Sequence, residues 1–104
     1  MAQFDVYENP NEQSKKNFPY LLDLQSDLLD GLATRVVAPL AYVSPKSRTV
    51  EYLQPKFRVK KKAVFLSTSE LAGIPVQALG KFVTSLKEHR QSIISALDFL
   101  FTGF

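Results

Sequence analysis

The chain has 104 residues, of which 45% are apolar and 22% charged, with a formal net charge of +3 and a pI near 9.3. That length is expected to form one domain that buries roughly 60 to 70% of its unfolded surface, and the absence of cysteine excludes disulfides, thiolate nucleophiles and cysteine-ligated zinc. No apolar run approaches the ~20 residues of a membrane span, and Met1-Ala2-Gln3-Phe4-Asp5 has neither a basic nor an apolar leader segment, so a cytoplasmic location away from membranes is expected.

In chain order, Phe4-Asp5-Val6-Tyr7 alternates with the period of a half-buried strand, and Asn9-Pro10 breaks it. The polar stretch from Asn9 to Lys16 reads as an exposed loop that carries one basic knot, Lys15-Lys16. Tyr20 to Gln25 gives a second strand. Arg35 to Val43, rich in branched residues, gives a third, with Pro39 predicting an edge, a bulge or a bend because it lacks an N–H. After the turn Ser44-Pro45-Lys46-Ser47, the run Thr49 to Leu53 predicts a fourth strand. Phe57-Arg58-Val59 and Ala63 to Leu66 then flank Lys60-Lys61-Lys62 as a hairpin.

Ser67-Thr68-Ser69-Glu70 has capping-box form and predicts at most a turn or two of helix, ended by Gly73 and Pro75; Pro75 to Leu79 predicts a short strand. The second S-x-x-E, Ser85-Leu86-Lys87-Glu88, predicts a long C-terminal helix starting near Thr84 or Ser85. Leu86, Ile93, Ala96, Leu97, Leu100 and Phe104 fall on one stripe of it. Ile94 and Phe101 lie beside that stripe, so the last turns are apolar over more than one face, which calls for a second partner such as another copy of the chain. Gly103 fits a helix-ending position. The residues alone leave two options open, that the terminal phenylalanines are core or that they are presented as a binding surface. The sum is an α+β domain of short antiparallel strands in a small barrel-like sheet with one long helix.

Little in the sequence points to catalysis. His89 is the single histidine, there is no Gly-x-Ser-x-Gly elbow, and the four glycines are scattered, which leaves no zinc constellation and no phosphate loop. Asp23, Asp27 and Asp30 could in principle hold Mg²⁺ or act as acid and base, but the commoner use of such a pattern is a turn in which the carboxylates accept from nearby backbone N–H groups. Leu28-Leu29, an aliphatic pair flanked by acids, is then expected to face water as a contact surface. The two lysine knots read first as solvated loops and second as a site for an acidic peptide. No aromatic residue interleaves with them along the sequence to stack on bases.

The block Leu22-Asp23-Leu24-Gln25-Ser26-Asp27-Leu28-Leu29-Asp30, followed by Arg35-Val36-Val37-Ala38-Pro39-Leu40, Pro75-Val76, Arg90 and an apolar helix ending in Gly103 and one last apolar residue, resembles the CcdB family of bacterial toxins that poison DNA gyrase. The similarity covers nearly the whole chain and begins with Phe4, Val6 and Tyr7 in the family's first strand. It implies a single toxin domain over residues 1–104, a homodimer with an SH3-like antiparallel barrel, a small extra sheet and one long C-terminal helix per subunit. It further implies a non-enzymatic toxin without cofactor or metal that binds the A subunit of gyrase and traps the enzyme on cleaved DNA. A CcdA-like antitoxin would displace it and join it on operator DNA as a repressing complex.

By residue, the resemblance places Leu28, Leu29, Asp98, Phe101, Thr102, Gly103 and Phe104 on the gyrase-binding surface. Lys15, Lys16, Lys60, Lys61 and Lys62 are the expected steering site for an acidic antitoxin tail. Asp98 stands where the plasmid-type toxin has asparagine and Thr102 where it has tryptophan, while Phe104 replaces the usual isoleucine. A family member that binds antitoxin but poisons gyrase weakly is therefore an alternative, as is a MazF-like endoribonuclease using Arg35 or His89.

Overall fold

A computed structural model of the chain describes residues 2–50 and 52–103; the expectations placed on Glu51 and Phe104 lie outside the described residues. Among the described residues seven strands, β1 (Asp5–Glu8), β2 (Tyr20–Asp23), β3 (Thr34–Tyr42), β4 (Lys56–Val59), β5 (Lys62–Leu66), β6 (Ala72–Pro75) and β7 (Phe82–Ser85), precede one α-helix, α1 (Arg90–Thr102). All the pairings are antiparallel. The sheet runs β4-β5-β3-β2-β1-β7 and curls into a half-barrel, with β6 branching off β3. The fold is α+β; where a small extra sheet was expected beside the barrel, β6 branches off β3 within the same sheet.

Alternation puts Val6, Leu22, Ala38 and Leu40 on the inner face, since Val6 is registered with Leu22 and Leu22 with Ala38. These residues pack with Phe4, Phe57, Val59, Val64 and Leu66 into the core, and α1 closes it with Ile93, at 0% exposure; burying a side chain of that size contributes about 1.5–3 kcal/mol. Phe4 enters this core at φ 71°, a left-handed conformation that is unusual for a bulky residue. The backbone there donates to Asp23 O at 2.7 Å and accepts from Leu86 N at 2.8 Å, which ties the first strand to both neighbours.

Strand β3 organises the rest. Its first edge pairs with β2 from Val37 to Leu40, while its second pairs with β6 from Thr34 to Val37 and with β5 from Leu40 to Tyr42. Pro39 sits where that second edge passes from one partner to the other. Its C=O accepts from Ser67 N at 2.9 Å on that side, and because the N–H and C=O of a strand residue point to the same edge, the missing N–H faces an existing break in the ladder. Proline thus occupies the middle of the most central strand, not an edge.

Four further expectations are corrected. In the predicted strand Thr49–Leu53, the described residues form a turn closed by Gln54 N on Val50 O (2.9 Å) and by Val50 N on the Gln54 side chain (2.8 Å); both edges of neighbouring β5 are already taken, by β4 and β3. Ser67–Glu70 gives one 3₁₀ turn, Thr68–Glu70, of the expected length, but the capping-box side-chain bond is absent and Gly73 and Pro75 belong to β6 instead of ending a helix. Val76–Ala78 is a 3₁₀ turn, so the short strand predicted over Pro75 to Leu79 is displaced toward the N-terminus. The S-x-x-E at Ser85 does not start the helix. Residues Phe82–Ser85 pair with β1 as β7, Ser85 Oγ accepts from Lys87 N at 3.2 Å in a local turn, and α1 begins at Arg90.

Candidate functional site

The aspartate block is built into a clasp. Arg35 and Asp23 are both fully buried, and the guanidinium donates through Nε (3.1 Å) and Nη2 to one Asp23 oxygen while Nη1 reaches Asp30 Oδ1 at 2.9 Å. The other Asp23 oxygen accepts from Gln25 N at 3.0 Å, and Asp27 accepts from Gln3 N at 2.7 Å. Gln25 donates to Leu29 O (3.0 Å) and Thr34 O (3.2 Å) and accepts from Val36 N (3.0 Å). Burial pushes the Asp23 carboxyl above its ordinary range, with the bonds from Arg35 and Gln25 pulling the other way. Burial likewise opposes the Arg35 charge, but the Asp23 bonds and the field of Asp23 and Asp30 raise its pKa overall. All three carboxylates hold backbone or guanidinium groups. Arg35, with no exposed surface, has no access to a substrate.

What the clasp presents is apolar. Leu28 is 94% exposed, Leu29 50% and Leu32 52%, on and just after the 3₁₀ turn Asp27–Leu29. Leu32 was not singled out from sequence, although as a third aliphatic in the same loop it carried the same signal. The turn lies beside the start of α1, because Gln3 binds Asp27 and Leu24 O (3.1 Å) on one side and meets Arg90 Nη1 at 3.4 Å on the other.

The helix end is a second patch. Asp98, Phe101 and Thr102 have the i, i+3, i+4 spacing of one face, all are exposed, and Phe101 is 70% so. Thr102 Oγ1 donates to Asp98 O at 2.7 Å. Gly103 ends the helix at φ 79° with its N–H on Phe99 O at 3.0 Å, as expected of a left-handed terminator. At 1.5 Å per residue, Phe101 lies about 16 Å along the axis from Arg90. Within one chain, then, the helix residues share a patch, while Leu28-Leu29 is tethered near the opposite end of α1. Of the terminal phenylalanines, Phe99 is half-buried and Phe101 is exposed.

The two lysine knots, far apart in sequence, converge. Lys15, Lys16 and Lys60 line one cleft of about 600 Å³ together with Tyr20 and Tyr42. Lys62 Nζ lies 5.2 Å from the Tyr42 ring centroid, within cation–π range. Tyr20 and Tyr42 meet edge to face at 6.3 Å, so aromatics do stand among the lysines in space although none does along the chain. Burial, reinforced by Tyr42 and Glu8, pushes the Tyr20 phenol up to about 12. Glu8 and Glu12 share the cleft, and Glu12 pairs with Lys15 at 2.8 Å, which makes it mixed in charge. His89 is exposed and rests 5.0 Å from the Phe57 ring.

Among the described residues no helix is long and apolar enough to cross a membrane. The family model CcdB, described as CcdB protein, matches residues 3–103 of the chain. That match spans the clasp, the lysine cleft and α1 through Gly103, and the chain therefore belongs to the CcdB family of toxins from toxin–antitoxin systems.

Proposed function

We propose that this toxin binds the A subunit of DNA gyrase and traps the enzyme on cleaved DNA, acting as a protein inhibitor and not as a catalyst. The observation that carries the reading is the pair Leu28-Leu29, held out in water by a polar clasp that uses every nearby carboxylate for support. Exposed aliphatics on a braced turn are a contact surface without a partner in the monomer. Phe101, with Asp98, Thr102, Gly103 and Phe104, is the second contact. The proposal includes one toxin domain over residues 1–104, a cytoplasmic homodimer, and a CcdA-like antitoxin with which it binds operator DNA. Calorimetric titration of a gyrase A dimerisation-domain fragment tests the contacts. Leu28→Ser with Leu29→Ser, and a chain truncated before Thr102, are each expected to weaken binding at least tenfold; unchanged affinity in both contradicts the assignment.

The antitoxin reading uses the lysine cleft. Lys15, Lys16 and Lys60, with Lys61 and Lys62 on the same hairpin, suit an acidic disordered tail better than a nucleic acid, because Glu8 and Glu12 interrupt a continuous phosphate track. Steering by these lysines gives an association rate that falls with salt, and charge reversal at Lys15 and Lys16 slows it. Rates indifferent to both contradict this site. Thr102 favours the weaker-poison alternative, since its short side chain is tied back to Asp98 O and adds little contact area; an interfacial tryptophan lost at such a position commonly costs a few kcal/mol.

A further inference from the structure

The eight residues from Asp27 to Thr34 are all exposed, and a Cβ added at Gly31 would meet nothing within 4 Å. No apolar packing fixes this loop. Polar ties set its geometry: Ser26 Oγ accepts from Leu28 N at 3.2 Å and Asp27 from Gln3 N at 2.7 Å before the Leu28-Leu29 pair, and ties to β3 hold the residues after it. Asp30 binds Arg35 Nη1, and Gln25 holds Leu29 O and Thr34 O while accepting from Val36 N. Arg35 itself is anchored independently by two bonds to buried Asp23, so the Asp30 contact is a separable arm of the clasp.

We propose that Asp30 is a positioning residue for partner binding: through Arg35 it helps hold the Leu28-Leu29 turn in its docking conformation before the partner arrives, beside the ties from Gln25 and Asp27. This rests on the reading of Leu28-Leu29 as the gyrase contact. A loop ordered in advance loses less conformational freedom on binding, so its restraint appears as affinity. The Asp30 side chain is 59% exposed and Arg35 keeps both bonds to Asp23 without it, so removing the carboxylate loosens the turn on one side and costs the fold only the Arg35 Nη1 bond.

The test compares Asp30→Ala, Asp30→Asn and Asp30→Glu with Leu28→Ser, measuring thermal midpoint, amide exchange and affinity for the gyrase A dimerisation fragment. The expected result for D30A is a midpoint lowered far less than by Arg35→Met, exchange at Leu28 to Leu32 faster by about tenfold, and affinity lower by about threefold to tenfold. D30N is expected to be intermediate and D30E closest to the parent. If L28S weakens binding and D30A does not, the positioning role is overturned and the gyrase reading stands. Weaker D30A binding without faster exchange makes Asp30 a direct contact and also overturns it. If L28S binds like the parent, the underlying reading fails and the proposal with it.

Discussion

Arg35 has no exposed surface, and its charge is matched by Asp23, equally buried, and by Asp30 at the rim. Removing one member of a buried pair leaves the other charge without a partner, which costs about 3–5 kcal/mol. Arg35→Met is therefore expected to lower unfolding free energy by about that amount in urea denaturation; a loss under 1 kcal/mol would show that the pair is not structural. Tyr7 lies close enough to feel the fields of Asp23 and Arg35, and burial, followed by the charge of Asp5, pushes its phenol up to about 12, as burial does for Tyr20. Both phenols bind their protons more tightly folded than unfolded, where the ordinary value is near 10. Their contribution is complete below pH 10 and is lost as pH rises toward 12. Stability measured across that window should fall, and Tyr7→Phe with Tyr20→Phe should flatten the decline. From sequence, the aspartate block was legible as backbone-capping turn chemistry, which Asp23 on Gln25 N illustrates. The role of Arg35 was not, because its partner sits twelve residues away on another strand.

The hairpin between β4 and β5 is closed by two residues, Lys60 and Lys61, since Val59 is registered directly with Lys62. Both take positive φ, 51° and 67°, the conformation of a type I′ turn that Asn-Gly adopts without strain. Lys60→Asn with Lys61→Gly is expected to stabilise the fold by about 1 kcal/mol, measured as a higher denaturation midpoint; a lower midpoint would contradict the turn assignment. This element was legible from its flanking strands. The start of α1 was not, because Ser85-Leu86-Lys87-Glu88 has local capping chemistry, yet the open edge of β1 offers Phe82–Ser85 a ladder. A tertiary pairing overrode a local signal. The same cause hid β6, whose Gly73 and Pro75 read as breakers until β3 supplied a partner.

At the scale of the molecule, one sheet and one helix hold three surfaces apart. The braced aliphatic turn lies by the start of α1, the aromatic patch lies at its end, and the lysine cleft forms between the Asn9–Pro19 loop and the β4–β5 hairpin. The fold class and the first two surfaces could be read from spacing and from the resemblance of the motifs, since both are contiguous in sequence. The meeting of Lys15, Lys16 and Lys60 around Tyr20 and Tyr42 could not, because strand order alone brings those segments together. The central claim is that these surfaces serve gyrase poisoning. Its most direct test incubates supercoiled plasmid with gyrase, ATP and the protein, beside a chain truncated before Thr102, and scores trapped double-strand cleavage. The account predicts linear DNA with the full chain and its loss on truncation; no linear DNA at micromolar protein would contradict it.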